Sequence, residues 1–109
     1  MVYIITTAWY PSHKAMEVGK RFLELLKKYP PGSGPGEAII PVAVTTTKTG
    51  IKVMTIREVK DNEAQEFADA LTYVGQNMAE YLNIEGFEHK TRTWASVESA
   101  LETLGLKMP

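Results

Sequence analysis

Ala38-Ile-Ile-Pro-Val-Ala-Val-Thr-Thr46 and Ile51-Lys-Val-Met-Thr-Ile-Arg-Glu-Val59 are two β-branched runs separated by Thr47-Lys-Thr-Gly50. Their length and composition predict two strands, and Gly50 offers the positive φ that a tight hairpin often needs. Pro41 has no N–H to give to a ladder, which predicts that the first of these strands lies at a sheet edge or contains a bulge. Upstream, Val2-Tyr-Ile-Ile-Thr-Thr-Ala-Trp9 reads as a strand ended by Tyr10-Pro11. Ala15, Gly19, Phe22, Leu26 and Tyr29 then recur at spacings of three and four, predicting a helix over about 13–29 with Ser12 as its cap. Downstream, Ala64, Phe67, Ala68, Leu71, Val74, Gly75, Met78 and Leu82 make the clearest helical stripe in the chain. Asp61 or Asn62 is the expected cap, and Asn62 with Gln65 has the spacing of a capping box. Phe87 to Trp94 reads as a polar, alternating strand, and a short helix over about 97–104 is framed by Ser96 and Gly105. The order is β-α-β-β-α-β plus a helical tail. This predicts a single α+β domain over residues 1–109, with an antiparallel sheet in the order 4-1-3-2 and helices on one face.

Composition narrows the partners. Twelve basic against 13 acidic residues, with an isoelectric point near 6.1, set up no long-range field for phosphate backbones, so nucleic acid is not expected. No run approaches the roughly 18 apolar residues of a membrane span, and Met1-Val-Tyr-Ile-Ile-Thr-Thr lacks the basic region of a secretory signal. The absence of cysteine removes disulfides and thiolate chemistry and fits a reducing, cytoplasmic home. Two distant histidines make no metal-binding pattern, and no cofactor is expected.

The strand faces carry the strongest functional hint. In the first strand Val2, Ile4 and Ala8 alternate with Tyr3, Ile5 and Trp9, and Ile39 and Ala43 alternate with Ile40, Val42 and Val44 in the second. Helices on one side cover one face only, and a large apolar patch left in water is rare in a monomer. Self-association through the other face is therefore expected. The whole-chain βαββαβ order, the mixed faces and the size resemble the ferredoxin-like dimeric α+β barrels, in which two sheets pack face to face around a cavity. The resemblance is one of architecture and spans nearly all of the chain. That superfamily includes small monooxygenases, lactone isomerases, polyketide cyclases, haem enzymes and ligand-sensing domains, so it implies a cavity and leaves its use open.

Several residues are candidates for that use. His13, in the first turn of the first helix, is either a surface residue or lies at a cavity mouth. His89 alternates with Phe87, Thr91 and Thr93 and is expected to face the helices, where a paired core imidazole competes with a general base. The opposite face of that strand bears Glu88, Lys90, Arg92 and Trp94, which read either as edge charges that discourage aggregation or as an anion site. In the second reading Arg92 holds a carboxylate or phosphate, Lys90 adds charge, and Tyr3, Thr7 and Trp9 supply hydroxyls and an aromatic wall. Tyr73 either reaches a cavity over the sheet edge or stands at the surface. These residues predict a homodimer that binds a small anionic or aromatic molecule between its sheets. A cofactor-free enzyme of the monooxygenase, isomerase or cyclase type, with His89 or His13 as base and Tyr3 or Tyr73 orienting the substrate, is the alternative, and an assembly module without ligand is a third.

Rival owners of this topology are excluded by their own residues. The third strand has no aromatic with which to stack RNA bases, there is no Cys-x-x-Cys, and Trp9-Tyr-Pro-Ser-His-Lys14 lacks the arginine and glycines of a phosphatase-like cradle. Pro30-Pro-Gly-Ser-Gly-Pro-Gly36 follows a helix and lacks a Gly-Lys-Ser/Thr close, so it reads as a mobile connector. Gly19 and Gly75 are expected to mark close helix packing.

Overall fold

The computed structural model describes all residues from 1 to 109. β1 (Val2–Tyr10) leads through a 3-10 turn (Ser12–Lys14) into α1 (Ala15–Leu25), followed by β2 (Glu37–Thr47), β3 (Gly50–Val59), α2 (Ala64–Ala79), β4 (Glu88–Ala95) and α3 (Val97–Thr103). The four strands form one antiparallel sheet in the order β2-β3-β1-β4. This is the α+β sandwich read from the sequence, and its sheet is compatible with a ferredoxin-like architecture.

β2 is an edge strand, and its register against β3 shifts twice, between Ala38 and Ile40 and between Ile40 and Ala43. The second shift contains Pro41, whose missing N–H is tolerated at such an irregularity. At the hairpin, Gly50 has φ 152°, and a Cβ there would lie 2.5 Å from the Tyr10 carbonyl oxygen. Only glycine allows β3 to start that close to the end of β1.

Helix starts differ from expectation. Ser12 sits inside the 3-10 turn, and neither that turn nor α1 has a side-chain cap. α2 begins after Glu63, also without a side-chain cap, because Asn62 takes a left-handed φ of 66° and Asp61 turns away to accept from Ser99 Oγ at 2.7 Å and from the N-terminal ammonium. That ammonium holds the Asp61 carboxyl below its ordinary range, with Ser99 adding to the effect. α3 matches its reading: Ser96 Oγ accepts from the Ser99 N–H at 3.2 Å, and Gly105 follows the helix with φ 77°.

The core lies between the helices and one sheet face. Ile4, Val59, Ala70 and Val74 form one cluster, backed by Phe67 and Leu71. Tyr10, Val18, Tyr81 and Ile84 form a second, backed by Phe87, and Met78 joins the two. The buried stripe of α2 therefore runs through Phe67, Ala70, Leu71, Val74 and Met78, whereas Ala68, Gly75 and Leu82 are exposed. A Cβ at Gly19 or Gly75 would meet nothing within 4 Å, so close packing does not account for either glycine.

Only 12 of the 109 residues are buried. The accessible surface is 7299 Å², against roughly 6,000 Å² for a compact chain of this mass. The radius of gyration of 15.7 Å likewise exceeds the value of about 13 Å for a compact domain of this length. No helix is long and apolar enough to cross a membrane.

Candidate functional site

The register fixes which side chains share a face, because directly opposed residues of an antiparallel pair point the same way. Ile4, Thr6, Ala8 and Tyr10 are buried under the helices. Thr6 opposes Thr91, their hydroxyl oxygens 3.0 Å apart, and Ala8 opposes His89. The alternate residues Tyr3, Ile5, Thr7 and Trp9 point to the open face. Opposite them on β4 stand Trp94, Arg92, Lys90 and Glu88, and on β3 Glu58, Ile56, Met54 and Lys52. Tyr3, Thr7, Trp9, Lys90 and Arg92 thus share one face, with Thr7 directly beside Lys90. The Lys52 ammonium sits 6.0 Å from the Trp9 ring centroid and adds a third cation. Neither Lys90 nor Arg92 belongs to any of the chain's four ion pairs. The face is a sheet surface rather than an enclosed cavity, with Trp94 53 % exposed.

His89 lies on the helix side, yet it is exposed, which corrects the expectation of a paired core imidazole. Every residue of β4 is exposed, because the helices cover the β1–β3 centre and stop short of that edge. His89 has Phe87 as its ring neighbour, at 6.5 Å between centroids. His13 is exposed in the 3-10 turn.

Tyr73 is tied up by structure. Its hydroxyl lies 2.5 Å from Ser33 Oγ, its ring meets Tyr29 edge-on at 5.5 Å, and Gly34 lies so close that a Cβ would fall 2.7 Å from the ring. Arg57 completes this cluster. From the helix face of β3 its guanidinium donates to the carbonyls of Pro35 at 2.7 Å and Ser33 at 2.8 Å, and it rests 4.9 Å from the Tyr73 ring centroid. Burial pushes the Arg57 guanidinium below its ordinary value, with Tyr73 opposing the shift; it remains a cation at neutral pH. The Pro30–Gly36 segment is therefore an anchored loop, not the mobile connector that its composition suggests. Arg57 escaped the sequence reading. The available signal was a lone charge on the strand face otherwise occupied by Ile51, Val53, Thr55 and Val59.

The helix side also holds a half-open apolar cleft of about 230 Å³, between α1, the end of α2 and the β2–β3 hairpin. Tyr10, Phe87 and Tyr81 form one wall. Successive ring pairs are 6.2 and 5.1 Å apart, with planes tilted by 11° and 15°. Burial raises the Tyr10 phenol, and burial above all raises that of Tyr81 despite the nearby Arg21, so both stay neutral hydroxyls at physiological pH. No charged side chain lines the cleft. Thr55 and Asn77 mark its junction with a smaller cleft of about 50 Å³ that reaches Arg57 and Tyr73. No group of three His, Asp or Glu side chains is placed to hold a metal ion.

Comparison of the chain with known families, curated proteins and solved structures finds no match at any of the three levels.

Proposed function

We propose that the chain is a homodimeric member of the ferredoxin-like α+β barrels that binds a small anionic or aromatic molecule between its two sheets. The observation that carries the reading is the open face itself. Tyr3, Ile5, Thr7, Trp9 and Ile56 present an aromatic and apolar surface, and Lys90 and Arg92 stand beside it without carboxylate partners.

The occupant of that face is a second copy of this chain. The surface in excess of a compact chain's, about 1,300 Å² from the two areas above, exceeds the roughly 800 Å² per partner of an ordinary stable interface. A second sheet laid over the face converts an exposed strip into an enclosed space. Burial there strengthens each charge-assisted hydrogen bond from Arg92 to a carboxylate or phosphate. Lys90 contributes a point charge, Tyr3 and Trp9 flat apolar walls, and Thr7 a hydroxyl. The cysteine-free composition supports a reducing cytoplasmic setting.

Benzoate and benzyl alcohol, which share a ring and differ in charge, test the reading by calorimetric titration. Benzoate is expected to bind more tightly, and Arg92→Ala to weaken it by about 1.5–3 kcal/mol, the range for hydrogen bonds to a charged group. Equal affinities for the two compounds, or benzoate binding indifferent to Arg92→Ala, would remove the anion site.

A further inference from the structure

The helix-side cleft calls for a chemistry different from that of the open face. Its volume of about 230 Å³ exceeds the 150 Å³ or so of a dry protein cavity that takes up benzene, leaving room for two fused rings. Its walls carry no charge, and Arg57 in the adjoining cleft is already committed to the carbonyls of Pro35 and Ser33, so a carboxylate moved there from water would lose its hydration without gaining a free counter-charge. The near-parallel rings of Tyr10, Phe87 and Tyr81 offer a flat aromatic surface to a planar guest. At the other end of the cleft stand the Thr55 hydroxyl and the Asn77 amide, both absent from the side-chain hydrogen bonds of neighbouring residues such as Thr6–Thr91, Ser33–Tyr73 and Arg57–Pro35. A hydroxyl and an amide can donate and accept, matching a guest's own hydroxyl or carbonyl. Val42 and Val44 on the rim are 43 % and 61 % exposed, and extend the apolar surface outward.

We infer that this cleft is a binding site for a small neutral aromatic molecule of about two fused rings bearing one hydrogen-bonding group, with its rings beside Tyr10, Phe87 and Tyr81 and its polar group towards Thr55 and Asn77. The site is complete within one chain and independent of what covers the open sheet face.

The test pairs 2-naphthol with 2-naphthoate at pH 7, where the first is neutral and the second an anion on the same rings, and follows amide shifts of the unaltered full chain. 2-Naphthol is expected to bind saturably with shifts centred on Gly19, Val53, Thr55 and Phe87, and 2-naphthoate to move those same cleft amides about tenfold or more weakly, whatever it does at the open face. Gly19→Leu fills the cleft from a position where a Cβ meets nothing within 4 Å. It is expected to weaken 2-naphthol by about tenfold or more without lowering thermal stability, since leucine is also the better helix former. The inference is overturned by any of these results: no saturable binding at millimolar 2-naphthol, 2-naphthoate occupying the cleft amides as tightly as 2-naphthol, 2-naphthol shifts centred on Tyr3, Thr7 and Lys90, or unchanged affinity in a folded Gly19→Leu protein. Cleft amides that shift with protein concentration alone would show a segment of another copy seated there, and would also overturn it. The first three results are read on the unaltered chain, so the outcome does not depend on how the variant folds.

Discussion

The two faces of the sheet are built from the same strands and differ in what covers them. Under the helices, Ile4, Thr6, Ala8 and Tyr10 of β1 are all buried, while Tyr3, Ile5, Thr7 and Trp9, one residue out of phase, remain partly open. The covered face closes around two small clusters and still leaves an uncharged cleft beside them. The open face mixes aromatic, aliphatic and cationic groups. Alternation assigns a side chain to a face, whereas the layer placed over that face decides whether the side chain acts as core, cleft wall or interface.

The largest expected contrast is in stability. Ile84, 1 % exposed in the second core cluster, should lose about 2–5 kcal/mol on change to Ala. Trp94→Ala on the open face should cost well under 1 kcal/mol within one chain, as surface changes do, and act on association instead. Urea unfolding at low protein concentration separates the two. Comparable losses would erase the distinction between the faces.

A smaller effect is expected at the loop anchor. Arg57→Met keeps much of the aliphatic volume but removes both donors from the carbonyls of Ser33 and Pro35, at a cost of about 1.5–3 kcal/mol. Hydrogen exchange over residues 32–36 should accelerate more than exchange in β4. Unchanged protection of that loop would mean that the tyrosine and serine contacts hold it alone.

These two cases show what was legible in the chain. β-Branched alternation and the Gly50 turn give the strands, the order and even the shared face of Tyr3, Thr7, Trp9, Lys90 and Arg92, because each follows from a period of two along the chain. The alternation puts His89 on the helix side, where it lies, but does not give its exposure, since nothing in Phe87 to Trp94 records that the helices stop short of β4. The anchoring of Pro30–Gly36 was hidden for a similar reason. Its glycines and prolines describe local backbone, while its partners Arg57 and Tyr73 are 24 and 40 residues away from Ser33. The cleft depends on how far α1 and α2 stand from the β2–β3 hairpin, a distance that no periodicity encodes.

Alkaline pH sharpens the comparison on the covered side. The Tyr10 and Tyr81 phenols are raised in the folded chain by burial, so folding favours their neutral forms. Their contribution is fully present below the unfolded value of about 10 and is lost as pH rises through the higher folded values. Thermal stability should therefore fall above about pH 10, and Tyr81→Phe should flatten that slope. A Tyr81→Phe protein with an undiminished alkaline slope would place the titrating groups elsewhere. The smallest effect is expected at Gly75, an exposed helix position where a Cβ meets nothing. Gly75→Ala should stabilise by about 0.8–1 kcal/mol, read as a raised melting temperature, and destabilisation would reveal a neighbour in solution that one chain lacks.

Whether a second copy covers the open face is measured most directly by light scattering coupled to size exclusion over a dilution series. A mass of twice 12.1 kDa, or a multiple of it, is the predicted result at micromolar concentration. A mass of one chain throughout the series would contradict it.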